Sequence, residues 1–223
     1  MLSSNYIFKS AERAVYRFKN KPKGNVYSRF TNPTVDAFQN KLAALEGAEK
    51  CQATASGMSA IFATIMTLLK PGEHMVASRC MFGTTIVLLN SIIEKLDIQI
   101  TFVDLGDLDG WKKSVQKNTK LFLLETPSNP LGEVVDIEKL AAISKKNNIV
   151  LAVDNCVMTP ALQKPLTLGA DLVIHSATKY IDGQGRCLAG AVAGSESLID
   201  EISAFTRSTG PTLSAFNAWI VLK

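Results

Sequence analysis

At 223 residues, 47% apolar and 20% charged, the chain has the composition of a globular protein with room for one large domain. The formal net charge of +4 is mild and the lysines do not interleave with aromatics, so nothing points to a nucleic-acid surface; no apolar run approaches the ~20 residues of a membrane span. The first residues lack the basic start and apolar core of a secretory signal, and the four cysteines (51, 80, 156 and 187) form no Cys-x-x-Cys pair, which together read as reduced thiols in a cytoplasmic protein.

In chain order, residues 1–33 contain a Gly24-Asn25-Val26 loop region. Helical periodicity then covers Val35–Leu45, and an apolar strand is expected at Cys51–Ala55. Helix Met58–Leu69, strand His74–Ser78, helix Thr84–Glu94 and strand Ile98–Val103 come next. After strand Lys120–Glu125 come helix Ile137–Lys146, strand Ile149–Asp154, strand Leu172–Ser176, strand Leu188–Gly194 and helix Ser195–Phe205. Near-continuous apolar strands separated by helices imply a mostly parallel sheet covered on both faces, a doubly wound α/β fold. The last stretch, Leu213–Lys223, reads as a helix carrying Phe216, Trp219 and Ile220 and ending without a polar tail. Such a stripe is expected to need cover from a surface outside these residues. Neither histidine, His74 nor His175, has the spacing of a metal site.

In open α/β sheets ligands bind at the carboxyl ends of the strands. The residues just past several strands here carry chemistry. Ser56-Gly57-Met58 opens a helix, Glu125 to Pro130 forms a polar turn, Asp154-Asn155 ends one strand, and Ser176-Ala177-Thr178-Lys179 ends another. Each feature has an ordinary explanation as a cap, a loop or a solvated lysine. Their joint occurrence has a single chemical logic. A phosphate suits the N–H groups of a helix start with nearby hydroxyls, here Gly57, Met58, Ser176 and Thr178. A pyridinium suits a carboxylate, Asp154, and an aldehyde suits an amine, Lys179.

The ordered motifs Tyr27-Ser28-Arg29-x-x-Asn32-Pro33-Thr34, Ala55-Ser56-Gly57-Met58-Ser59-Ala60, Glu125-Thr126-Pro127-Ser128-Asn129-Pro130, Val153-Asp154-Asn155 and Ser176-Ala177-Thr178-Lys179-Tyr180 resemble the Cys/Met-metabolism family of fold-type-I pyridoxal 5′-phosphate (PLP) enzymes. The resemblance covers essentially the whole chain. It implies the fold-type-I large domain, with residues 1–33 as an N-terminal arm and interface loop. Residues 34–211 would be the cofactor domain, and 212–223 the start of a helix leading to a C-terminal domain that would carry the substrate-carboxylate clamp.

The resemblance also assigns roles. Lys179 would form the Schiff base and move protons, Asp154 would pair with the pyridine nitrogen, and Gly57, Met58, Ser176 and Thr178 would hold the phosphate. Phe82 would stack on the ring, Asn129 would lie beside the cofactor or the substrate carboxylate, and Glu125 would stand behind them. Tyr27, a candidate acid–base group, and Arg29 would reach the phosphate of a neighbouring subunit in a homodimer or tetramer. Ser78 to Thr85 and Gly183-Gln184-Gly185-Arg186 are most like the branch that replaces the acyloxy group of O-succinylhomoserine (or O-acetylhomoserine) with sulfide to give homocysteine, in methionine biosynthesis. Other branches carry Tyr in place of Phe82 and His in place of Gln184. The alternatives are the activities of cystathionine γ-synthase or methionine γ-lyase, and a non-catalytic remnant that keeps the cofactor fold.

Overall fold

Seven strands line up in a single sheet in the computed structural model, which describes residues 1–20 and 24–223. They are β1 (Lys50–Thr54), β2 (His74–Ser78), β3 (Gln99–Val103), β4 (Thr119–Glu125), β5 (Val150–Asp154), β6 (Leu172–His175) and β7 (Gly190–Gly194), in the spatial order β1-β7-β6-β5-β4-β2-β3. All seven expected strands are present. β2 through β6 pair in parallel. The expectation of a mostly parallel sheet needs one refinement, because β7 runs antiparallel to both β6 and β1. The segment between β6 and β7 contains no crossover helix. The chain therefore re-enters the sheet from the edge at which β6 left it.

Helices cover both faces. On one side α3 (Gly57–Leu68), α4 (Gly83–Leu88) and α8 (Glu196–Thr209) pack Ile61, Ile65, Leu88 and Ile199 onto Met75, Leu123, Ala152 and Ile174. On the other, α2 (Pro33–Glu46) and α9 (Ala215–Val221) cover Cys51, Ala53, Val173 and Ala191. Beside them α5 (Leu108–Lys113) and α6 (Ile137–Lys146) cover Phe122, Leu124, Leu151 and Val153. Alternate residues of one strand thus serve opposite layers, the period-2 consequence of the pleat.

The helix expected at Thr84–Glu94 is not continuous. α4 widens into a π-type turn at Leu89–Ile93 and tightens into a 3₁₀ turn at Glu94–Leu96, ending at Asp97 with φ 60°. Wider i→i+5 spacing keeps Leu88 and Ile93 on one buried side. Three helices had no strong sequence signal: α1 (Ala11–Asn20) inside the segment read as an arm, α5, and α7 (Thr159–Leu162). α5 is held less by periodicity than by one side chain, Trp111, fully buried with its indole N–H donating to Leu105 O at 3.3 Å.

The terminal stripe divides. Leu213, Ala218 and Val221 are buried against the α2 layer, while Phe216 and Trp219 stay 54% and 44% exposed, their ring centroids 6.0 Å apart. The four cysteines are unpaired. No helix among the described residues is long and apolar enough to cross a membrane.

Candidate active site

The carboxyl ends of β4, β5 and β6, the start of α3 and the loop after β6 enclose a cavity of about 930 Å³. Gly57, Met58, Phe82, Asn129, Asp154, Ser176, Thr178 and Lys179 all line it. With Glu125, which also lines it, nine of the eleven residues given roles from the sequence therefore converge on one space. Tyr27 and Arg29 do not line it within this chain. Arg29 donates to the carbonyl of Arg207 and lies 4.7 Å from the Phe30 ring centroid, and Tyr27 is 37% exposed.

The start of α3 is built to present N–H groups. Ser56 caps it, its hydroxyl accepting from Ser59 N at 3.1 Å and its carbonyl from Ala60 N at 3.1 Å. Gly57 and Met58, whose N–H groups are among the four that a helix N-terminus cannot satisfy internally, line the cavity. Gly57 is required by space. A Cβ there would stand 2.6 Å from Ser176 Cβ and 2.8 Å from Ser176 Cα, so only glycine lets the helix start and the end of β6 approach. Ser176, half-buried, makes no side-chain hydrogen bond among the described residues. The Thr178 hydroxyl is engaged by Ala189, donating to its carbonyl at 3.1 Å and accepting from its N–H at 2.9 Å. To serve a phosphate that hydroxyl must turn, and the Ala189 carbonyl then keeps the Thr178 backbone N–H, 3.1 Å away. A helix N-terminus with two hydroxyls is a fitting anion cradle.

Asp154 sits on the floor of the cavity at the end of β5, opposite Glu125 in the β4–β5 register. Burial, then the neighbouring Glu125 carboxylate, push Asp154 up to about 7, while the N–H of Cys156 at 3.0 Å opposes them. No cation pairs with Asp154 among the described residues. A protonated ring nitrogen is the kind of donor its second oxygen lacks, so the residues present fit PLP. Glu125 is itself raised, mainly by burial, and accepts the Phe82 N–H at 2.8 Å, which fixes the backbone beneath that ring. The Cys156 thiol, half-buried beside Asp154, is driven up to about 12 by burial and then by that carboxylate. It is a wall residue and not a nucleophile at neutral pH.

Lys179 sits after a tight turn in which its N–H donates to Ser176 O at 3.1 Å, and its carbonyl then accepts from Gly183 N at 2.8 Å. The turn delivers an exposed, amine-bearing side chain to the cavity wall. Sequence reasoning did not single out Cys156, Val157, Thr85 or Leu188 as lining. These have no chemical signature of their own and join the site only because their segments meet at the sheet edge.

Comparison with known proteins agrees with this geometry. The family model described as Cys/Met metabolism PLP-dependent enzyme matches residues 1–223. O-succinylhomoserine sulfhydrylase of Pseudomonas aeruginosa is 54% identical over 221 residues, 99% of this chain and 55% of that protein. An L-methionine gamma-lyase of Fusobacterium nucleatum is 42% identical over 224 residues, covering 99% of this chain and 57% of that one. Among solved structures, a putative O-acetylhomoserine (thiol)-lyase of Campylobacter jejuni, bearing an N′-pyridoxyl-lysine-5′-monophosphate, superposes with TM-score 0.92 at 32% identity, covering 99% of this chain and 63% of that one. The metB protein of Corynebacterium glutamicum gives 0.91 at 35% identity, covering 98% and 55% respectively. The chain spans about half the length of the curated relatives it matches. An amine, a carboxylate and an anion cradle at the strand ends, together with a family match along the whole sequence, establish that the chain belongs to the Cys/Met-metabolism family of PLP-dependent enzymes.

Proposed function

We propose that this chain supplies the cofactor site of an enzyme that replaces the γ-acyloxy group of an O-acylhomoserine, O-succinylhomoserine first, with sulfide to give homocysteine. The observation that carries the reading is the convergence of Lys179, Asp154 and the Ser56-capped helix start on one cavity. PLP, when bound, supplies an aldehyde for amines and a ring that accepts the electron pair of a substrate carbanion. The residues of this chain do the rest. Gly57 and Met58 N–H groups with Ser176 and Thr178 hold the phosphate, and Asp154 keeps a proton at the ring nitrogen. Lys179 Nζ takes and returns protons at the substrate carbons. Phe82 offers a ring face but no hydroxyl, so acid–base work at that position falls to Lys179, to Tyr27 of a neighbouring chain or to water. Asn129, which lines the cavity, would lie beside the cofactor ring or the substrate carboxylate.

The identity to a sulfhydrylase supports replacement, and the similarity to methionine gamma-lyases supports γ-elimination as the second reading. Mixed with PLP, the protein is expected to show visible absorbance of a lysine-bound cofactor, lost in Lys179→Ala, and borohydride is expected to fix the label on the Lys179 peptide. Label found mainly on other lysines would refute the site. Homocysteine formation from O-succinylhomoserine and sulfide, against ketoacid release from methionine, separates the two readings.

A further inference from the structure

Behind the cavity, on the α2 side of the sheet, lies a buried polar network that the proposed chemistry does not use. Glu46, the last residue of α2, and His175, the last of β6, have fully buried side chains and meet at 2.5 Å between Oε1 and Nε2. The same Glu46 oxygen accepts Asn155 Nδ2 at 3.3 Å. Asn155, also fully buried, donates to Gln163 O at 2.8 Å and accepts Gln163 Nε2 at 3.0 Å, and Gln163 Nε2 donates on to Thr126 O at 2.8 Å. Glu46 Oε2 and His175 Nδ1 are buried without partners among the described residues, which is costly in an ordinary interior. A core wanting only stability would fill this space with apolar side chains.

The connectivity shows what the network holds. Asn155 is the next residue after Asp154, and His175 precedes Ser176. By strand alternation, Asp154 and Ser176 serve the cavity while their neighbours serve the opposite layer. Thr126 begins the loop that carries Asn129. One carboxylate oxygen therefore ties together the ends of β5 and β6, and through Gln163 the loop after β4. These are three of the segments that carry cavity residues.

We infer that Glu46 is a positioning residue for the cofactor site. Through His175, Asn155 and Gln163 it sets where Asp154, the Ser176–Lys179 turn and the Asn129 loop stand relative to one another. The inference rests on the PLP reading of the cavity.

The test measures PLP affinity, the absorbance band of the lysine-bound cofactor, and the rise in melting temperature that PLP gives, in wild type, Glu46→Ala, Glu46→Gln and Gln163→Ala. Losing a hydrogen bond corresponds to roughly two- to tenfold in an equilibrium constant. Glu46→Ala and Gln163→Ala are expected to bind PLP about that much more weakly, with a displaced band and a smaller PLP-induced rise. Glu46→Gln, which keeps the acceptor, is expected to stay near wild type. If Glu46→Ala does not fold, Gln163→Ala, altering a half-buried side chain, decides. Variants with a lower melting temperature in the absence of PLP, but wild-type affinity, band and PLP-induced rise, would show a purely structural network and overturn the inference. A wild type that binds no PLP, or is labelled away from Lys179, would instead sink the site reading, and this inference with it.

Discussion

Asp154 carries the sharpest residue-level consequence. Its folded value near 7 lies above the ordinary 3.8, so between those values the folded chain holds a proton that the unfolded chain has released. Stability without cofactor is therefore greatest below about pH 4 as far as this group is concerned, and falls as pH rises through 7, by something on the order of 1–4 kcal/mol. Asp154→Asn is expected to remove that slope, as is saturation with PLP, whose ring nitrogen gives the carboxylate a cationic partner. Urea unfolding of the cofactor-free protein between pH 4 and 8 checks this; equal slopes for wild type and variant would show that Asp154 titrates normally.

At the scale of elements, two glycines let three segments close on the cavity. Gly57 brings the start of α3 against Ser176, and Gly190 at the start of β7 runs beneath the Ser56 carbonyl, where a Cβ would meet the oxygen at 2.1 Å and the carbon at 2.3 Å. Backbone cannot yield as a side chain can, so Gly190→Ala is expected to cost at least the ~1–3 kcal/mol of an overpacked core and to lower the melting temperature. Gly57→Ala presses on Ser176 at the cradle itself, so its larger effect is expected on PLP affinity. Thermal melts and cofactor titrations of the two variants separate these outcomes, and a Gly57→Ala protein with wild-type affinity would remove the cradle from this part of the chain.

At the scale of the whole molecule, Tyr27 and Arg29 stand outside the cavity of their own chain, and we propose that they complete the cavity of a neighbouring one. Arg29→Ala chains mixed with Lys179→Ala chains are then expected to recover one intact site per heterodimer, read as returning cofactor absorbance. Heterodimers that form without that absorbance would place each site within a single chain.

The α/β alternation, all seven strands and the chemistry-bearing residues at their ends that line the cavity were legible in the amino-acid sequence. These signals are local: an apolar run marks a strand, and a Ser-Gly helix start or a strand-terminal Asp or Lys marks its polar end. The antiparallel direction of β7 was not legible, because direction depends on whether the connecting segment can cross the sheet and not on the strand's composition. Packing likewise made a helix of Leu108–Lys113 around Trp111 and divided the α9 stripe into Leu213, Ala218 and Val221 within and Phe216 and Trp219 without. The Glu46–His175–Asn155 network was hidden for the same reason. Glu46 stands 129 positions from His175 and 109 from Asn155, and each alone reads as a helix-end, strand-end or loop residue. Only the folded sheet, burying them on the face opposite the cavity, makes them one unit.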